Sequence, residues 1–143
     1  MKFSAKARYG LRAVYVLGEN YLSQNNPADV SHGFSDILPI SSSRLAAVTG
    51  VSEPYLEKIM AILKKCGVVS SSMGAAGGYV LNHHPAQITI GRVLKVLEGP
   101  VFVSECSGCD SNCPNKDIFS QIYHKIDNVL EELTLADVLV SEK

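Results

Sequence analysis

Between residues 42 and 81 the chain reads as two short helices, a glycine stop and a hairpin, and few folds accommodate that order. Ser42 or Ser43 can cap a helix over Arg44 to Val48, because a serine hydroxyl accepts from the free amides of a first turn. Ala46 is followed four residues later by Gly50 and then by Val51. The small residue lets a second helix approach, and the glycine permits the left-handed turn between the two. Ser52 caps that second helix, whose first turn holds Glu53 and Pro54: the carboxylate suits the helix dipole and the ring forfeits no hydrogen bond there. Its apolar face is Leu56, Ile59, Met60 and Leu63, which leaves Tyr55, Glu57, Lys58, Ala61, Lys64 and Lys65 on or near the other. After Gly67, the runs Val68 to Ser72 and Gly78 to Leu81 read as strands joined by Met73-Gly74-Ala75-Ala76-Gly77. A helix pair of this kind also occurs in ordinary helical cores. With the capped second helix and the hairpin following in order, the expectation becomes a winged helix-turn-helix whose free polar face can enter a major groove.

The rest of the chain sets bounds on that reading. Its 143 residues suffice for one ordinary core, and 46% hydrophobic with 19% charged residues is a globular composition that leaves little room for disorder. Lys6, Arg8 and Arg12 interrupt any signal-peptide core, and no apolar run approaches a membrane span, so a cytoplasmic location is expected. The net charge of −1 hides an asymmetry: residues 1 to 95 carry ten basic against five acidic side chains, and residues 96 to 143 three against nine. A front half at +5 suits phosphates, and a back half at −6 faces something else. Enzymatic function is not expected. There is no nucleophile-base pair and no pair of acids at useful spacing, and Gly74 to Gly78 lacks the strand-to-helix setting of a phosphate cradle.

Two more helices frame the head. Ser4 to Leu22 has a broad apolar stripe and is expected to be largely packed, while Ser23 to Ser43 reads as a long loop with a short extended piece at Ile37 to Ile40. From Asp117 to Leu133, the residues Ile118, Phe119, Ile122, Ile126, Val129, Leu130 and Leu133 form a seam at three- and four-residue steps. Such a seam needs a cover, either the chain's own first helix or, as a two-fold reader requires, a second copy. The expected architecture is mainly α with a small β-hairpin wing, a winged helix-turn-helix followed by a long C-terminal dimerisation helix. Its parts would be a DNA-binding domain at 1–100, a cysteine-bearing loop at 101–116, and a dimerisation helix with C-terminal tail at 117–143.

Five stretches together carry a resemblance: residues 2–13 (Lys-Phe-Ser-Ala-Lys-Ala-Arg-Tyr-Gly-Leu-Arg-Ala), Val51 to Met60, the wing end Gly77-Gly78-Tyr79-Val80-Leu81, Ile88 to Pro100, and Leu133 to Leu139. The sequence resembles the Rrf-two family of bacterial regulators over nearly its whole length. The resemblance implies a homodimeric repressor with two winged heads on a palindromic double-stranded DNA operator. It places Ser52, Tyr55, Glu57, Lys58 and Lys64 on the recognition helix, Ser43 and Arg44 near the DNA backbone, and Gly74 and Gly77 in the wing. Lysines and helix starts meet phosphate, a tyrosine hydroxyl can do the same, and Glu57 can accept from a cytosine amino group. Lys64 could equally be a solvated helix end. One departure stands out: where many relatives carry an arginine before the first wing glycine, this chain has Met73, and no basic residue lies from Met73 to Gly78.

Cys106-Ser-Gly-Cys109-Asp-Ser-Asn-Cys113 followed by Pro114 matches the last three ligands of a bacterial ferredoxin run, with Val103 where the first would stand. In a reducing compartment such a triplet reads as a metal or redox site. The expected group is an iron-sulfur cluster, two-iron or four-iron; zinc, a metal-free thiol switch and vestigial cysteines are the alternatives. The triplet directly follows Glu98-Gly99-Pro100, where cluster-binding members of the resembled family place theirs, though its spacing is tighter. Arg8 stands near the position where an acid of a partner subunit would complete the site, so Asp110, Glu105, His124 or an exogenous thiol or water remain as fourth ligands. His32, His83 and His84 read as loop or surface residues, and Cys66 as a packed thiol at the end of the recognition helix. A further alternative is a protein-interaction module that uses the winged head without an operator.

Overall fold

The computed structural model describes residues 2–25, 37–99 and 114–141. Helix α1 (Ala5–Gln24) starts at Ser4, whose hydroxyl accepts from the Ala7 amide at 3.1 Å, and buries Ala7, Gly10, Ala13, Val14, Leu17, Gly18 and Tyr21. Two of those positions are glycine because other helices lie against them. A Cβ at Gly10 would collide with Leu97, and one at Gly18 would come within 2.8 Å of Leu139. The central helix therefore takes neighbours on several sides at close range, and nearly all buried apolar side chains form one cluster around it.

Helix α2 (Ser42–Thr49) is capped by Ser41, which accepts from the Arg44 amide at 3.3 Å, and not by Ser42 or Ser43. The helix starts earlier than expected because of a contact distant in sequence. Ile40 is tied into an extended bridge with Tyr79, so the residue after it is the first free to turn, and all three serines offer the same cap chemistry. Gly50 at φ 78° makes the turn, and Ser52 caps α3 (Glu53–Lys65) by accepting from Tyr55 N–H at 3.4 Å. Leu56, Ile59, Met60 and Leu63 are buried, the face that the sequence pattern points to. The helix ends in paired 6→1 and 5→2 hydrogen bonds, Val68 N–H to the Leu63 carbonyl (3.0 Å) and Gly67 N–H to that of Lys64 (3.1 Å), with Gly67 at φ 78°. Val68 is thus used by the helix stop, and strand β1 begins one residue later than expected, at Val69.

Strands β1 (Val69–Ser72) and β2 (Gly78–Leu81) pair antiparallel from Val69↔Leu81 to Ser72↔Gly78. The extended piece expected near residues 37–40 narrows to one bridging residue, Ile40, which exchanges hydrogen bonds of 3.1 and 2.8 Å with Tyr79. Gly78 must be glycine here, since it sits at φ 155° and a Cβ would strike the Ile40 carbonyl.

A 3₁₀ turn at Pro85–Gln87 leads into α4 (Ile90–Glu98), capped by Thr89. Helix α5 (Pro114–Glu132) then packs on α4 and buries none of its residues. Lys95 of α4 joins it, with Nζ 2.7 Å from both Asp127 and Glu131. The sequence reading leaves only a tail beyond Leu133, yet residues Leu135–Ser141 form α6. Thr134 and Asp137 explain it: Asp137 N–H donates to the Thr134 hydroxyl (3.2 Å) while Thr134 N–H donates to the Asp137 carboxylate (3.0 Å), a reciprocal cap. Leu135 and Leu139 then dock into the core beside Gly18.

Candidate nucleic-acid interface

Because the apolar side of α3 is committed to the core, its other side has nowhere to go but outward. Glu57, Lys58 and Lys64 are exposed along it, and Ser52 is exposed at its start. Ser43 and Arg44 are exposed in the first turn of α2. Tyr55 is half-buried, its ring edge-on to Tyr9 of α1 at 6.3 Å, so it fastens the recognition helix to α1 while keeping part of its surface free.

The start of α2, the first turns of α3 and the wing enclose a cleft of about 430 Å3. Of the residues expected at the interface, Ser43, Glu57, Gly74 and Gly77 line it, while Ser52, Tyr55, Arg44, Lys58 and Lys64 lie outside. Lys64 is two helical turns beyond Glu57, roughly 10 Å along the axis at 1.5 Å per residue. The face therefore has an acidic, hydroxyl-rich end near the wing and a basic end at Lys64 and Lys65. Sequence reasoning missed Ser42, Ser71, Ser72 and Tyr79, which share the cleft. Two serine runs, 41–43 and 70–72, were the available signal; their meeting depends on the Ile40 bridge and is not local. Burial, and next the Glu57 carboxylate, push the Tyr79 phenol above its ordinary value, opposed by a hydrogen bond with Ser42. Tyr79 therefore stays a neutral hydrogen-bonding group.

The wing turn is tight. Gly77 N–H donates to the Gly74 carbonyl at 3.0 Å, and a Cβ on Gly77 would lie 2.9 Å from the backbone of Met73. Gly74, at φ 103°, has open space around it, and Met73 beside it is 99% exposed.

Cys66 is exposed, contrary to the packed thiol expected from sequence. It caps the C-terminus of α3, past the last buried residue Leu63, and the Arg92 guanidinium binds its carbonyl at 3.1 Å. Its side borders a groove shared with Arg92 and Lys95. Cys106, Cys109 and Cys113 lie outside the described residues, as do Glu105, Asp110 and His32. His124 is exposed on α5 and Arg8 is exposed on α1, whereas His84 accepts from Ala86 N–H at 3.0 Å as the cap of the 3₁₀ turn. Among the described residues no three His, Cys, Asp or Glu side chains are grouped to hold a metal ion, and no helix is long and apolar enough to cross a membrane.

A capped helix pair, an outward polar face and an adjoining hairpin make a winged helix-turn-helix, and residues 3–141 match the Rrf2 model, described as an iron-dependent transcriptional regulator. The chain belongs to the Rrf2 family. Among curated Rrf2 relatives, the HTH-type transcriptional regulator CymR of Bacillus subtilis (strain 168) is 34% identical over 138 residues, covering 96% of this chain and 89% of the relative. The solved structure of B. subtilis CymR, described as the global cysteine regulator, superposes with a TM-score of 0.77 at 33% identity, covering 99% and 98% of the two chains. That of T. potens IscR gives a TM-score of 0.76 at 31% identity, covering 100% of this chain and 89% of the other. The Rrf2 relatives are transcriptional regulators, a non-enzymatic role, and the family implies DNA binding.

Proposed function

We propose that this Rrf2 protein is a homodimeric repressor that grips a palindromic operator with two winged heads and senses iron-sulfur, redox or sulfur status through Cys106, Cys109 and Cys113. The observation that carries the reading is the outward polar face of α3 beside a pinned wing, on a fold shared with CymR and IscR. In this reading residues 1–100 are the head, 101–116 the sensing loop and 117–143 the dimerisation segment. Lys58 and Lys64 meet phosphates, Arg44, Ser43, Ser52 and Tyr55 set register on the backbone, Glu57 accepts from a base edge, and Gly74 and Gly77 bring the wing close. The seam on α5 pairs with that of a second copy, because Ile118, Ile122 and Val129 are 52%, 39% and 62% exposed in the single chain.

The donor set suits an iron-sulfur cluster: three thiolates at C-x-x-C-x-x-x-C, followed by proline, leave one position for an outside ligand. When bound, such a cluster supplies a site that oxidants, nitric oxide or iron shortage can alter. The residues here translate that change by their place in the chain, between α4 of the head and the dimer helix. Two recognition helices must reach half-sites about one DNA turn (roughly 34 Å) apart, so a small rotation between heads alters affinity strongly.

Anaerobically purified protein should be brown, with iron and sulfide in stoichiometric amounts; colourless protein with one zinc per chain would overturn the cluster assignment. A gel shift with the DNA upstream of its own gene tests operator binding. Replacing all three cysteines with Ala should leave DNA affinity indifferent to iron and oxidant, and a response that survives the triple substitution would remove the sensing role.

A further inference from the structure

Met73 occupies the most exposed point of the described surface for a large apolar side chain, 99% open to solvent. Nothing in the fold requires it there. The hairpin that carries it is equally uncharged: residues 69–81 contain no Lys, Arg, Asp or Glu, and the tip beyond Met73 is Gly74-Ala75-Ala76-Gly77. Nor is the tip loose at its base, since the Gly77 to Gly74 hydrogen bond closes the turn and the Ile40–Tyr79 bridge fixes the hairpin's root to the residue before Ser41, the α2 cap. An apolar point is thus held at a set position relative to α3.

The cleft between α3 and the wing says what lies under that point. A helix seated in a major groove is flanked by sugar-phosphate ridges, and beyond each ridge lies a minor groove. The cleft of about 430 Å3 stands where such a ridge would pass, walled by Ser42 and Ser43 on one side and Ser71 and Ser72 on the other. Serine hydroxyls suit phosphate and sugar oxygens. Glu53 and Glu57 on the α3 wall repel a phosphate and push the ridge toward the wing. Met73, at the wing edge of the same cleft, next after Ser72 and 99% exposed, would then border the minor groove beyond the ridge.

Resting on the operator reading above, we propose that Met73 is an apolar minor-groove probe that reads operator flanks by excluding the guanine 2-amino group. In the minor groove, A·T and T·A pairs present only acceptors, and G·C adds that one donor. A thioether side chain and two alanine methyls offer the donor no useful acceptor, so pressing them against guanine strips a water and returns no hydrogen bond. Against A·T the same side chain meets sugar walls and ring edges, and methionine is flexible enough to fill them. The wing reads composition without adding phosphate neutralisation.

Selection of duplexes from a random pool with the full chain tests this and separates it from its premise. The expected result is a palindromic core with A·T-rich steps about five base pairs outside each α3 contact. A G·C pair there should weaken binding about 10-fold, and inosine·C, which keeps the major-groove face of G·C and lacks the 2-amino group, should restore it to within about 2-fold. In Met73→Ala the G·C penalty should shrink to about 2-fold or less with core affinity kept, and Met73→Arg should steepen the salt dependence by about one unit per wing. Flat flanks, a penalty that inosine does not relieve, or one that persists in Met73→Ala would overturn the probe while leaving the operator reading intact. A pool with no enriched duplex would overturn the operator reading and the probe with it.

Discussion

Helices α3 and α5 are built to the same plan and end in opposite conditions. Both carry an apolar stripe at three- and four-residue steps and a polar side, yet the 13-residue α3 buries Leu56, Ile59, Met60 and Leu63 while the 19-residue α5 buries nothing. In α3 the apolar side is satisfied within the chain, so its polar side is what remains to act. In α5 the apolar side is itself what remains; among the described residues its C-terminal end is held by Lys95, by Thr89 and by the Leu130 backbone lying against Gly91. The pair teaches that an amphipathic pattern states how much surface must be covered, and the tertiary structure states whether the chain itself covers it.

The contrast can be broken most forcefully at its buried end. Leu56→Ala in α3 removes a fully buried side chain and should lower unfolding free energy by about 2–5 kcal/mol, read by chemical denaturation, with DNA binding lost as the head loosens. Ile122→Asp in α5 should act in the opposite sense. The single chain stays folded, because Ile122 is 39% exposed, while self-association weakens by about 2 kcal/mol or more in sedimentation. If that substitution unfolds the chain instead, α5 is a structural helix and the contrast disappears.

Smaller effects sharpen it. Ser52→Ala removes the cap of α3 and should cost about 1 kcal/mol of stability, where no comparable cap loss is expected from Ser43→Ala, since Ser41 caps α2. The smallest concerns pH. A hydrogen bond from the Ser4 hydroxyl, then one from its backbone amide, holds the Glu98 carboxyl below its ordinary value of 4.5, joining the start of α1 to the end of α4. Because the folded value is depressed, that contribution is present above about pH 4.5 and fades as pH falls through the folded value. Glu98→Gln should lower the melting temperature slightly near neutrality and give a slightly shallower further loss on acidification, the two proteins converging at low pH.

Much of the head was legible because its signals are local. Ser52, Pro54, Gly50 and Gly67 act through their own backbone, and the burial of Leu56 to Leu63 follows from helical spacing alone. What stayed hidden was settled at a distance or by a tie between equals. Ser41, Ser42 and Ser43 compete for one cap, and only the Ile40 bridge decides among them. Helix α6 owes its place to Leu135 and Leu139 meeting Gly18 across more than a hundred residues, although the Thr134 and Asp137 cap was present to be read. Lys95 finds Asp127 and Glu131 from another helix, which no periodicity reports. Cys66 defies the reading because one thiol at a helix end fits inside or outside equally well until Arg92 fixes its carbonyl.

The contact of Gly78 with the Ile40 backbone divides the hairpin's labour. The root carries the long-range obligation, since a methyl group at Gly78 has no room; the turn rests on Gly74 at φ 103° and on close-packed Gly77, and residues 73, 75 and 76 are exposed at the summit. A lineage can re-letter those three positions freely while the scaffold beneath stays fixed. Target preference in such a molecule is able to drift far faster than its shape.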